Sequence, residues 1–425
     1  MEQNITTSTT HIKMKKSLLL PLLCAVVFNL SACSKQTSLQ SFCAFGDGNA
    51  CNNLGLMYER GESVAQDYAQ AKKYYEKGAN KGYAIAQYNL GQMYRRGVGG
   101  KQDYTQAFKW YKKSAEQGLA QAQFNVGLMY EEGLGIKQDY VQAVEWYKKA
   151  VEQGDVSAQV NLGVKYEKGK GVEQNYAQAV EWYKKAAEQG NAVAQTNLGT
   201  MYKDGLGVTQ DYAQALAWYE KAARQGYSTA QWRLGGLYEK GWGVTQDYAQ
   251  AIEWYKKSAE QGDTTALFLL GDMYNKGQGV AKNDKQAFDY FKKSAEKGND
   301  NAQARLALLY MTGRGVEKNA NQAIQWAKQA EEQGNKPAQA LLAMMYATGS
   351  GTNQDLPQAK KLIQPFCDSG EKDHCELLQV ITQCENNNAK ACELLKLVVE
   401  CDNGQNKQAC ERLSVLEKEV LKTKI

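Results

Sequence analysis

The sequence predicts an all-α fold, a right-handed solenoid superhelix of about nine 36-residue helical hairpins. Three observations carry this expectation. Glycine returns every 36 residues, at Gly61, Gly97, Gly133, Gly169, Gly205, Gly241, Gly277, Gly313 and Gly349. Alanine keeps the same step from Ala50 to Ala338 and from Ala71 to Ala359, and tyrosine from Tyr58 to Tyr346, with no insertion or deletion. Within each period, apolar residues recur at helical spacing. Periods of this length mark stacked units, each of which buries its apolar face only against its neighbours. A residue that recurs nine times is therefore read as architecture, and one that differs between repeats as a candidate for function.

The chain begins with an export segment. Lys13, Lys15 and Lys16 form a basic region, and the apolar stretch from Leu18 to Leu30 is too short to span a bilayer. It ends in Leu30-Ser31-Ala32-Cys33, which resembles a bacterial lipobox. The resemblance implies cleavage before Cys33 and acylation of its thiol, so residues 1–32 are expected to be a lipoprotein signal peptide. Met14 opens a more typical signal than Met1. Ser34, where a retention signal would carry Asp, resembles Gram-negative lipoproteins of the outer membrane and implies a protein facing the periplasm. The formal charge of +5 for 425 residues falls to about +3 once three lysines and one glutamate leave with the signal. The remaining charges of both signs are interspersed, so the sequence gives no footprint for nucleic acid. The membrane is expected to be engaged through the lipid anchor only.

Ten cysteines are present, and eight of them fall into spaced pairs: Cys43/Cys51, Cys367/Cys375, Cys384/Cys392 and Cys401/Cys410. Cys24 lies in the signal. An even set in an exported chain argues for disulfides, and no C-x2-C pair points to zinc. The repeat register places Cys43 and Cys51, like Cys367 and Cys375, in the last turn of one helix and the first turn of the next. Each bridge closes a loop of about nine residues and contributes about 2–3 kcal/mol by chain entropy. Residues 33–48 are expected to be an N-terminal cap, residues 49–372 the nine repeats, and residues 373–425 a disulfide-rich helical C-terminal cap.

Residues 120–155 show how one repeat is built. Ala122, Val126, Met129 and Tyr130 form the apolar stripe of a first helix, which Gly133 and Gly135 end. Asp139 can cap the second helix, and Gln142, a residue kept from Gln70 to Gln358, can complete a variant capping box. Ala143, Trp146, Tyr147 and Ala150 make the second stripe. The pattern is complete in Ala192-Val193-Ala194-Gln195 and in Glu188-Gln189-Gly190. On these residues the chain resembles Sel-1-like repeats, a branch of the tetratricopeptide superfamily. The ninth unit departs from the pattern: Leu362-Ile363 replaces Trp-Tyr, and Pro365 falls within the second helix, leaving its pairing open. The C-x7-C pairs also resemble the cysteine-rich Sel-1-like proteins of epsilonproteobacteria.

That second resemblance implies an alternative, a β-lactamase-like hydrolase. S-x-x-K occurs at Ser294–Lys297 and Ser369–Lys372, with no S-D-N or K-T-G beside it. Ser294 falls in a register also held by Ser114, Ser258 and alanines, so the match reads as repeat consensus. His374, the one histidine after the signal, is expected to be an exposed cap residue. With no nucleophile–base pair and no metal motif, no catalytic residue, cofactor or metal is assigned. A secreted host-interaction factor is the other alternative.

Binding is expected where the repeats disagree. Opposite the core stripe of the first helix, one register reads Asn52, Tyr88, Phe124, Val160, Thr196, Trp232, Phe268, Ala304 and Ala340. A second contains Gln92, Leu128 and Asp272. An asparagine ladder runs beside them through Asn53, Asn89, Asn125, Asn161 and Asn197 and breaks at Arg233. Resemblance to the superfamily implies that this face lines the concave surface, where aromatic residues would form an interface core and asparagines would grip a peptide backbone. The same residues could instead pack on the adjacent repeat. Trp242, on a loop tip, is expected either to contact a partner or to fold back on Trp254. The expected function is a non-catalytic protein- or peptide-binding scaffold of the cell envelope.

Overall fold

The computed structural model describes residues 30–370, 372–401 and 407–422. The signal residues before Leu30 lie outside the described residues, as does the side chain of Cys33. The described residues form 22 helices and no strand. The chain divides into two compact units, residues 1–194 with 205–209 and residues 195–204 with 210–425. Helix α1 (Leu30–Ala44) precedes nine hairpins that run from Gly48–Arg60 with Tyr68–Asn80 to Lys336–Thr348 with Leu356–Asp368. Counting these eighteen helices as α2–α19, α20 (Lys372–Glu385), α21 (Ala389–Cys401) and α22 (Lys407–Lys422) follow. Within each unit the two helices of a hairpin pack on each other, and the second packs on the first helix of the next hairpin.

Local chemistry sets each boundary. The first helices end on a left-handed glycine, such as Gly133 at φ 70°, whose N–H returns to the carbonyl of Met129. Asp139 accepts the backbone N–H groups of Val141 and Gln142, and Asp or Asn plays the same part at the start of the other second helices. The expected return contact from Gln142 is absent among the described hydrogen bonds. A different glutamine closes the loop. Gln138 Nε2 donates to the Glu131 carbonyl at 2.7 Å and to the Tyr140 hydroxyl at 3.1 Å, and Gln66, Gln102, Gln174 and Gln246 repeat the pair of contacts.

The hairpin core is a glycine-against-ring contact. A Cβ added at Gly55, Gly91, Gly127, Gly163, Gly199, Gly235 or Gly271 would meet the ring of Tyr75, Tyr111, Tyr147, Tyr183, Tyr219, Tyr255 or Phe291 at 2.5–2.7 Å. All seven rings are buried. In the last two repeats the ring positions hold Ala327 and Ile363, and the glycine positions hold Ala307 and Ala343. Ring and glycine change together. The ninth second helix continues through Pro365 to Asp368 and buries Leu362, Ile363 and Phe366, so it pairs as its neighbours do.

The four disulfides are those expected: Cys43–Cys51, Cys367–Cys375, Cys384–Cys392 and Cys401–Cys410, with Cα–Cα distances of 4.6–4.8 Å. Each joins a helix end to the next helix start, where Cys51, Cys375, Cys392 and Cys410 are all the fourth residue of their helices. Cys410 stands nine residues after Cys401, where the other pairs are eight apart, so the last bridge is C-x8-C and corrects the C-x7-C spacing read for the pairs generally. Cys375, Cys392 and Cys410 are half-buried, whereas Cys51 is buried. The difference follows from position. Cys51 lies against Gly78, in the second helix of its own hairpin. Cys392 packs on the edge of the C-terminal core, and Cys410 stands on α22, the last described helix.

Candidate interaction face

In the first unit, the residues singled out on the first-helix face turn inward to hold the hairpins together. Tyr88 and Phe124 are half-buried, and their ring centroids lie 5.7 and 5.8 Å from those of Tyr111 and Tyr147. Leu128 packs on the same cluster as Phe124. Asn89 donates to Asn52 at 2.8 Å, Asn125 to the Gln121 carbonyl at 2.7 Å, and Asn161 to the Tyr147 hydroxyl at 3.2 Å. Gln92 donates to the Tyr88 hydroxyl at 2.7 Å. The asparagine ladder is therefore occupied by bonds within its own helix and to adjacent helices, which satisfies polar groups that would otherwise be costly to bury.

The second unit carries the same registers with a different result. Trp232 is half-buried against the cluster of Ala251, Ile252 and Tyr255, with the Arg233 guanidinium 4.6 Å from its ring centroid. Phe268 packs on Phe291 at 5.6 Å. Asp272 pairs with Lys276 through one carboxylate oxygen. Its Oδ1 is buried without a hydrogen-bond partner, and so is Arg233 Nε. Beyond Phe268 the aromatic register shrinks to Ala304 and Ala340, and a pocket of about 280 Å³ opens there. Phe268, Asn301, Ala304, Arg305, Leu308 and Leu341 line it, with Leu308 37% exposed. Leu308, Arg305 and Leu341 are not among the residues the sequence singles out. The signal is there as a step from large to small side chains along one register.

Other expectations meet definite surroundings. Trp242 is 39% exposed and stacks on Tyr212 at 5.2 Å, not on Trp254. His374 is no exposed cap: it is half-buried and its ring stacks on Phe366 at 4.7 Å. Ser294 is fully buried and its hydroxyl donates to the Thr264 carbonyl at 2.7 Å, as Ser114 and Ser258 do to Ala84 and Ser228. The Lys372 side chain of the second S-x-x-K lies outside the described residues. Among the described residues no helix is long and apolar enough to cross a membrane.

One charged cluster has no counterpart in the sequence expectations. Lys165 is 2% exposed in a register that otherwise holds Met57, Met93, Met129, Met201, Leu237, Met273, Leu309 and Met345. Its ammonium pairs with Glu131. The other carboxylate oxygen of Glu131 accepts from the Tyr147 hydroxyl at 2.7 Å. Burial and this carboxylate both push the Tyr147 hydroxyl above its ordinary pKa.

The repeated hairpin, its glycine turns and its aromatic core define a solenoid repeat protein. The Sel1 repeat matches nine consecutive segments, 48–83, 84–119, 120–155, 156–191, 192–227, 228–263, 264–299, 300–335 and 336–371, and the chain belongs to that family. It is similar to a protective antigen of uropathogenic Escherichia coli strains with an SLR fold. The identity is 34% over 90% of each chain, with a TM-score of 0.61. It is also similar to a Sel1 repeat protein from Oxalobacter formigenes, at 29% identity over 81% of this chain and 97% of the other, with a TM-score of 0.58. No curated protein matches the chain.

Proposed function

We propose that the chain is a non-catalytic protein- or peptide-binding scaffold of the bacterial envelope, held to the membrane by a lipid on Cys33. Its contact face is the first-helix side of the second unit. The observation that carries this reading is the pocket lined by Phe268, Ala304, Arg305 and Leu308. An exposed leucine at an apolar pocket with an adjacent guanidinium matches the anchor-and-rim composition of protein interfaces. Arg233 Nε and Asp272 Oδ1, on the same face of the two preceding first helices, have no hydrogen-bond partner among the described residues. Four disulfides fit an oxidising compartment outside the cytoplasm.

The test is photocrosslinking in intact cells from a probe at position 304, followed by mass spectrometry. A defined set of envelope proteins should be captured and then lost when Leu308→Glu and Arg305→Glu are introduced with the helical signal intact. An unchanged set would sink the assignment of this face. A second reading is favoured by the similarity to a protective antigen: the protein is presented to a host. Antibodies to the folded protein would then label intact cells, and labelling only after permeabilisation would exclude it.

A further inference from the structure

At most junctions between successive second helices, a glutamine clasp closes the surface. Gln231 illustrates it. Its Nε2 donates to the Ala223 carbonyl at the end of one second helix at 3.3 Å, while its Oε1 accepts from Gln261, at the end of the next second helix, at 2.8 Å. The Gln–Gln bond recurs between Gln117 and Gln87, Gln153 and Gln123, Gln189 and Gln159, Gln225 and Gln195, and Gln333 and Gln303, at 2.6–2.9 Å. In the seventh repeat both partners are replaced. Leu267 stands where the first-helix glutamine would be, and Lys297 where the second would be. Leu267 can neither donate to the Ala259 carbonyl nor accept from Lys297, whose ammonium turns to the Gly262 carbonyl at 3.3 Å.

A cleft of about 540 Å³ opens at that junction, lined by the positions that elsewhere form the clasp: Ala259, Gly262, Leu267 and Lys297. Leu267, packed above the fully buried Leu270, forms the apolar floor, and Tyr290 adds an aromatic wall. At the rim Lys256 pairs with Glu253 and Glu296 with Lys292, so Lys293 and Lys297 against Glu260 leave one net positive charge. Lys293 and Lys297 lie one turn apart, and neither has an ion-pair partner among the described residues. All of these residues belong to the second unit.

We infer that this cleft is a binding site for an aliphatic group ending in a single carboxylate. The floor takes the apolar part and gains by its removal from water, while Lys293 and Lys297 supply charge-assisted hydrogen bonds to the carboxylate. The two rim glutamates set the selectivity: with only one net positive charge left at the rim, they disfavour a dianion such as inorganic phosphate. The carboxylate is supplied either by a free fatty acid or by the C-terminal residue of a peptide with an apolar side chain. The site lies at the ends of second helices and is independent of the first-helix face proposed above for partner proteins.

The chain itself provides the test variant. Leu267→Gln with Lys297→Gln recreates the clasp found at six other junctions, so the variant is expected to fold and to close the cleft. Binding is measured on the purified protein by calorimetry with dodecanoate, with dodecanol, with inorganic phosphate, and with pentapeptides ending in Leu or Phe as free acids and as amides. The expected result is binding of dodecanoate or of the free-acid peptides, weakened at least tenfold by the neutral analogue and at least tenfold by the clasp variant. Which probe binds identifies the source of the carboxylate. Any of four results overturns the assignment: neither carboxylate binds, alcohol or amide binds equally well, phosphate binds more tightly, or the folded clasp variant retains affinity.

Discussion

At the scale of single residues, the repeats act as internal controls for one another. Tyr75, Tyr147, Tyr183 and Tyr255 donate to Glu59, Glu131, Glu167 and Glu239 at 2.5–2.7 Å. Where that glutamate is Arg95, the Tyr111 hydroxyl has no carboxylate to donate to, and where it is Lys203, Tyr219 turns to Thr200 at 2.9 Å. Where it is Asn275, the ring is Phe291 and needs no acceptor. Lys165 is the single charged intrusion in the register otherwise filled by Met and Leu. Its partner Glu131 keeps 26% of its side chain exposed and still accepts from Tyr147, whereas Glu59 and Glu239, beside Met93 and Met273, pair with Arg96 and Lys240. Lys165→Met should therefore be neutral or stabilising in urea denaturation. Glu131→Gln instead leaves a buried ammonium without its counter-charge and should cost about 3–5 kcal/mol. A large loss from Lys165→Met would show that the ion pair itself holds the third and fourth repeats together.

At the scale of elements, the same internal alignment decides what a helical glycine is for. A Gly→Ala change in an exposed helix interior gains about 1 kcal/mol. Gly271→Ala should do the opposite, because the new methyl would stand 2.7 Å from the Phe291 ring, and overpacking of this kind costs roughly 1–3 kcal/mol. Gly271→Ala combined with Phe291→Ala copies the Ala307/Ala327 pair of the next repeat. The two changes should then be non-additive in a double-mutant cycle, with the double variant more stable than the sum of the singles predicts. Strict additivity would mean that ring and glycine are not coupled. Much of this is legible in the sequence: period, helix stripes, glycine turns, caps and disulfide pairs all depend on neighbours close in the chain or one repeat away. What stays hidden depends on rotamers. Phe124 and Tyr88 sit on the side of the helix opposite the core stripe, yet their rings lean onto the tyrosine of their own hairpin, a choice that helical position does not fix. The pocket at Leu308 is hidden for the converse reason, since it arises from what Ala304 fails to fill.

At the scale of the whole molecule, the buried tyrosines are unevenly distributed, and their distribution governs alkaline stability. Burial raises the hydroxyl pKa of Tyr75, Tyr111, Tyr147, Tyr219 and Tyr255 above the ordinary 10.0, and the neighbouring Glu59, Glu131 and Glu239 raise three of them further. The last three repeats place Phe291, Ala327 and Ile363 at the equivalent position. In the unfolded chain these tyrosines ionise near 10.0, while in the folded chain they keep their protons to higher pH. Above that pH the folded state holds more protons than the unfolded one, so stability falls as pH rises; below it, both states are protonated and the contribution is constant. In a repeat protein this loss is felt first by the repeats that contain the titrating groups. The first six repeats should therefore open before the last two as pH is raised above 10.0, with the seventh, where burial also pushes up the Tyr290 hydroxyl, between them. A brief protease pulse across this range, read by mass spectrometry, should leave a C-terminal fragment beginning near the seventh repeat. Simultaneous loss of all nine repeats would contradict this order of opening.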